Sequence, residues 1–147
     1  MIYFVDEDKN ELEPYVYELE GRGYDCQILR NADRAYDVLV GATDIQVVVV
    51  DVMLATANAR TSRFDAISTE NFVTTGLKLI EELIANQPQG QNVFPSKAVF
   101  FSSARIEQVV SRIEKMSATY NIPYLDKNEF SCTPDFADAL INHIDSI

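Results

Sequence analysis

Hydrophobic positions along this chain fall into short unbroken runs separated by stretches with a helical period. The most apolar run is VVVVDVML, Val47–Leu54. Four consecutive valines leave no polar face, which predicts a strand covered on both sides, as in a parallel sheet between helices. Ile2–Val5, Tyr24–Leu29, Ala98–Ser102 and Ile122–Leu125 predict four more strands. Between them the period lengthens. Leu12, Val16 and Leu19 predict a helix, with Asn10 and Glu13 at capping-box spacing, Pro14 at its fourth position and Gly21 and Gly23 as its stop. A short helix runs to Leu39, capped by Asn31 or Asp33, with Ala32, Ala35, Tyr36 and Leu39 inward. Further helices are expected from Gly76 to about Asn86, over Arg105–Ala118, and from Thr133-Pro134 with Phe136, Leu140 and Ile144 inward. Strand and helix alternate five times, which predicts a doubly wound α/β fold with right-handed crossovers.

One stretch breaks the pattern. Ala55–Thr75 is polar, rich in Thr, Ser and Asn, with Phe64, Ile67 and Phe72 pointing to a little local packing. It is far longer than the roughly 2–6 residues of an ordinary βα loop. We expect a single domain spanning residues 1–147 with a loop insertion at about 55–75, which is either a plain surface insertion or a lid or partner-docking element beside the strand that precedes it.

Composition narrows the function. A net charge of −11 argues against a phosphate-backbone partner, so no direct nucleic-acid binding is expected. The N-terminus lacks a basic region and a long apolar run, and no window approaches a membrane span, so the expectation is a cytoplasmic protein without a membrane anchor. Cys26 and Cys132 lack ligand spacing and are expected as free thiols. His143, on the last helix, is expected at the surface with no role.

The carboxyl ends of strands in such a sheet converge on one rim, where ligands bind. Here the first strand delivers Asp6, Glu7 and Asp8, the third Asp51, the fourth Ser102 and Ser103, and the fifth Lys127. Carboxylates crowded together repel one another unless a cation neutralises them, and Mg²⁺ suits oxygen donors while leaving room for a phosphate oxygen. Asp8 is expected to cap the first helix rather than to bind metal. A carboxylate beside Mg²⁺, with a lysine and a hydroxyl to hold phosphoryl oxygens, is a layout for phosphoryl transfer onto the carboxylate.

VDED, VVVVDVML, SSA and YLDK, in this order, resemble the receiver domain of two-component response regulators over nearly the whole chain. The resemblance implies a flavodoxin-like sheet ordered 2-1-3-4-5 with five helices. It implies that Asp51 accepts a phosphoryl group from a phosphohistidine donor on a histidine kinase or histidine phosphotransfer protein. It further implies that Asp6, Glu7, Asp51 and the main-chain carbonyl of Met53 hold Mg²⁺. Lys127 would pair with a phosphoryl oxygen. Ser103, with Ser102 as the off-by-one alternative, would hydrogen-bond the phosphoryl group, and Tyr124 would be the switch aromatic acting toward a downstream protein target or effector domain. Such a domain assists its own phosphorylation and dephosphorylation without being an enzyme in the usual sense.

The chain departs from the family pattern at three places. Asn128 stands where the family has Pro after the lysine, so a trans bond is expected. Ala55 replaces the Pro after Leu54, and the helix-opening glycine, if it is Gly76, lies 76 − 51 = 25 positions beyond Asp51. The fifth strand is preceded by Tyr120-Asn121-Ile122-Pro123 rather than a Gly-Ala turn. Two other functions compete. One is a receiver-like protein-binding module that works without phosphorylation. The other rests on IYFVDED, which also resembles the DxD motif of haloacid-dehalogenase-type phosphatases. There Asp6 would be the nucleophile and Asp8 the acid/base, with Ser102 or Ser103 and Lys127 assisting.

Overall fold

A computed structural model describes residues 1–54, 63–65, 69 and 72–147. Five strands, β1 (Ile2–Val5), β2 (Cys26–Leu29), β3 (Val47–Val50), β4 (Ala98–Ser102) and β5 (Tyr124–Asp126), alternate with five helices, α1 (Lys9–Gly21), α2 (Ala32–Leu39), α3 (Thr75–Asn86), α4 (Glu107–Tyr120) and α5 (Thr133–Ser146). All strand pairs are parallel, and the order is β2-β1-β3-β4-β5. This is the flavodoxin-like sheet expected from the sequence.

Both faces are buried, which is why β1, β3 and β4 read as unbroken apolar runs. Alternate residues divide between two cores. Ile2, Phe4, Val47, Val49, Val99 and Phe101 pack with α1 and α5, whereas Tyr3, Val5, Val48, Val50, Ala98 and Phe100 pack with α2, α3 and α4. The first core holds an aromatic cluster in which Phe101 stacks on Phe136 at 4.3 Å and Tyr15 meets both edge-on.

Local signals account for the element ends, with corrections. Helix α1 begins at Lys9, and its cap is Asp8, whose carboxylate accepts the Glu11 N–H at 3.0 Å. Asn10 is therefore helical, and Pro14 sits in the sixth position, not the fourth. Tyr15 lies deeper than the expected Val16. Asn31, not Asp33, caps α2, accepting the Arg34 N–H at 2.8 Å. Replacing Asn31 with Ala should cost about 1 kcal/mol, readable as a lower midpoint in urea unfolding. Helix α4 starts two residues later than expected and runs on to Tyr120, where Asn121 takes a left-handed conformation. Ile122 is buried but precedes β5. Thr133 is the first residue of α5 rather than its cap; Cys132 holds that place without a side-chain bond. His143 is half-buried, with Nε2 enclosed, not a surface residue.

Most of the 55–75 insertion, with Ile67, lies outside the described residues, and so does the expected lid role. Its described parts are anchored. Phe64 is fully buried, and the Arg63 guanidinium lies 3.7 Å from the Tyr36 ring centroid and 3.7 Å from Glu82. Among the described residues, no helix is long and apolar enough to cross a membrane.

Candidate functional site

Three residues follow directly from strand ends and keep the sheet's hydrogen bonding for one more step. The Asp6 N–H donates to the Leu29 carbonyl, the Asp51 N–H to Val5, and the Lys127 N–H to Ser102. Their main chains are thus fixed by the ladder itself. The strand alternation, carried one step further, puts Asp6, Asp51, Ser103 and Lys127 on the α1/α5 side, because Phe4, Val49, Phe101 and Leu125 face that core.

The side chains meet. Lys127 Nζ donates to Asp6 Oδ2 at 2.6 Å and lies 3.5 Å from Asp51 Oδ2 and 3.4 Å from Glu11 Oε1. Asp6 is 3% exposed and Lys127 8%. Asp6 Oδ1 accepts the Asp8 N–H at 2.9 Å, and Asp51 Oδ1 accepts its neighbour's, Val52, at 2.8 Å. The ammonium also stands 5.5 Å from the Phe101 ring.

Burial pushes the Asp51 carboxyl up to about 6; the Lys127 charge opposes this, and the Asp6 charge adds to it. Asp51 is therefore ionised at neutral pH but a stronger base than a surface aspartate. Burial alone would lower the Lys127 ammonium, yet the Asp51 and Asp6 carboxylates outweigh it and hold it above its ordinary value.

Other expected residues stand apart. Glu7 is exposed, its carbonyl accepting a long bond from Arg30. Met53 is 41% exposed. Ser102 is buried with its Oγ accepting the Ala104 N–H, whereas Ser103 is exposed. Tyr124 is half-buried against the α4 side, its hydroxyl pushed up by burial and by the acids Asp126, Glu114 and Glu129. Asp8, the acid/base of the phosphatase reading, spends its carboxylate on the α1 cap. The Lys127–Asn128 bond is trans, and Asn128 closes a turn by donating twice to Asp126 Oδ1.

Among the described residues, no group of three or more His, Cys, Asp or Glu side chains is arranged to hold a metal. The donor chemistry nonetheless fits a hard divalent cation. Three carboxylates surround one ammonium, and a cation such as Mg²⁺ commonly takes one or two carboxylates and completes its shell with water and phosphate oxygens.

One residue, Glu11, and one contact, that of the helix-opening Gly76, are not legible in the sequence. Glu11 reaches Lys127, and Gly76 packs on the main chain of the phosphoacceptor candidate, donating its N–H to the Val52 carbonyl at 2.7 Å.

No protein-family model matches the sequence, and no curated protein matches it. Solved structures do. A response regulator receiver domain protein from Methanospirillum hungatei superposes with a TM-score of 0.68 at 15% identity, over 99% of this chain and 93% of that one. The fold is that of a receiver domain. A receiver protein from Pseudoalteromonas atlantica matches with a TM-score of 0.67 at 16% identity, over 99% and 97% of the two chains. A response regulator from Burkholderia pseudomallei, solved with a phosphorylated aspartic acid, a calcium ion and citrate, matches with a TM-score of 0.59 at 21% identity, over 99% and 68%. At such identities the likeness speaks for the receiver fold, and the chemistry has to be argued from this chain's own residues.

Proposed function

We propose that this chain is a phosphorylation-dependent signalling switch in which Asp51 accepts a phosphoryl group. The observation that carries the reading is the meeting of Asp51, Asp6 and Lys127 at the carboxyl rim of the sheet, with the ammonium within reach of both carboxylates. An Asp51 oxygen attacks the phosphorus of a phosphohistidine. The P–O bond forms as the P–N bond breaks, and the imidazole nitrogen leaves with the electron pair and takes up a proton. Lys127 pairs with a phosphoryl oxygen as negative charge gathers there. Asp6, Glu7, Asp51 and the Met53 carbonyl would hold Mg²⁺, which would supply the remaining charge neutralisation when bound. The calcium ion and phosphorylated aspartate in the Burkholderia protein support this choice of chemistry.

Ser103 is the hydroxyl that contacts the phosphoryl group. Its place on the Asp51 side of the sheet supports it, and the engaged, oppositely directed Ser102 hydroxyl supports it over the alternative. Tyr124 follows Ser103 and alters the α4 face toward a downstream protein or effector domain. The donor is a histidine kinase or histidine phosphotransfer protein, and the site of action is the cytoplasm.

The test is chemical. With Mg²⁺ and a small acyl phosphate or phosphoramidate, intact-protein mass spectrometry should show one added phosphoryl group, absent in Asp51→Asn. A label that persists in that variant rejects the assignment. The lack of any label on the native chain would favour a binding module that works unphosphorylated.

A further inference from the structure

The Glu11–Lys127 contact is not accounted for by the proposed phosphoryl transfer. Glu11 is the third residue of α1, and Asp8 is its cap, so the pair has the spacing of a capping box. In that motif the glutamate reaches back to the cap residue's N–H. Here the Asp8 N–H is already taken by Asp6 Oδ1 at 2.9 Å. The Glu11 carboxylate is released from capping and turns to Lys127 Nζ, 3.4 Å away. One turn further along α1, Tyr15 donates its hydroxyl to the Phe130 carbonyl at 2.7 Å, tying this helix face to the loop that follows Lys127. Burial raises the Tyr15 hydroxyl and the Glu11 charge adds to it, as expected for neighbours on one face.

In its one position Lys127 Nζ thus touches, besides Asp51, a buried carboxylate, Asp6, and one at the edge, Glu11, whose side chain is 43% exposed. A divalent cation at the rim needs Asp6, and an ammonium cannot share that oxygen with it without strong repulsion. We propose that Glu11 is a positioning residue: it receives the Lys127 ammonium when Asp6 turns to the cation, and so holds that ammonium beside Asp51. The inference rests on the metal-dependent reading above and adds a residue that the receiver resemblance does not supply.

The full chain carrying Glu11→Gln tests it, since glutamine keeps the shape and the main-chain cap bond. Calorimetric titration with Mg²⁺ should show affinity weakened by roughly fivefold, in keeping with a partly exposed ion pair. The Lys127 ¹⁵Nζ resonance gives the second readout. In the native chain it should stay protected from solvent exchange at saturating Mg²⁺, and in Glu11→Gln it should lose that protection. Glu11→Asp, which keeps the charge, should fall between the two. Weakened affinity with an unchanged ammonium signal would mean a general field effect and would overturn the proposal. Equal affinities would also overturn it while leaving the metal reading intact. If the native chain binds no Mg²⁺ at millimolar concentration, the metal reading fails first and the role of Glu11 falls with it.

Discussion

Replacing Gly76 with alanine should destabilise the protein by about 3 kcal/mol or more, at the upper end of what overpacking costs. A Cβ built on Gly76 would stand 2.1 Å from the Asp51 carbonyl oxygen and 2.7 Å from the Val52 Cα. Both neighbours are main chain, and neither can yield by a side-chain rotation. The Asp51 N–H is bonded to Val5 and the Val52 carbonyl to Gly76 itself, so the backbone on each side is held. Either α3 moves away from the sheet or the end of β3 does. The first breaks the packing of Leu77, Leu79, Ile80 and Leu83, all buried. The second moves Asp51 away from Lys127. Thermal unfolding followed by circular dichroism checks the stability, with a fall of more than about 8 °C expected for a chain of this size. A native-like midpoint would show that the helix and strand end are not in the contact described. A fold that survives in part should also show slowed labelling of Asp51, because the displaced atoms belong to that residue.

This contact marks the boundary of what the sequence makes legible. Gly76 reads as a helix start from its place before Leu77, Ile80 and Ile84. That its hydrogen faces the main chain of Asp51 is a fact of helix-on-sheet approach, and no local pattern encodes it. The strands are legible because a buried parallel strand has no polar face. Val47–Val50 needs no neighbour to be recognised, and the acids and lysine at strand ends follow from topology once five alternations are counted. Helix termini are less so. Around α1 the run Asp6-Glu7-Asp8-Lys9-Asn10 offers several side chains able to cap, and Asn10–Glu13 spacing competes with Asp8–Glu11. The winner is set by tertiary geometry: Asp6 ties down the Asp8 N–H, which brings the helix start forward and leaves Glu11 to Lys127. A similar limit applies at α5, where Cys132 occupies the cap position without a capping bond and Thr133 only looks like a cap. Tyr15 shows it for packing. The period selects Val16, yet the aromatic pair Phe101 and Phe136 offers Tyr15 an edge-on site and Phe130 accepts its hydroxyl. The polar stretch after Leu54 has no period to read, and only Phe64, among its described residues, carries a strong apolar signal that the fold buries.

Replacing Lys127 with methionine should have the other large effect, and its size should depend on pH. The substitution keeps the length of the side chain and removes the charge, so packing near Phe101 is largely retained. What is lost is the one ammonium between Asp6 and Asp51, whose side chains are 5% and 15% exposed. Removing one partner of a buried ion pair costs about 3–5 kcal/mol, because the other partner stays buried without compensation. In the native protein the Asp51 carboxyl already sits near 6, raised by burial against the lowering by Lys127. Without the lysine, burial and the Asp6 charge are opposed only by the Val52 N–H bond, and the carboxyl rises further. A carboxyl raised in the folded state binds more protons folded than unfolded, so folding is penalised as pH climbs through its folded value and the penalty fades as pH falls below it. The deficit of Lys127→Met relative to the native chain should thus be greatest at pH 8, shrink as pH falls toward about 6, and level off below that, where both chains protonate the carboxyl alike, as urea unfolding at several pH values would show. Mg²⁺ should stabilise the variant more than the native chain, since the cation then meets carboxylates with no ammonium to displace. A deficit that does not change with pH would mean that Lys127 acts through packing and that the carboxylates do not depend on it for their charge.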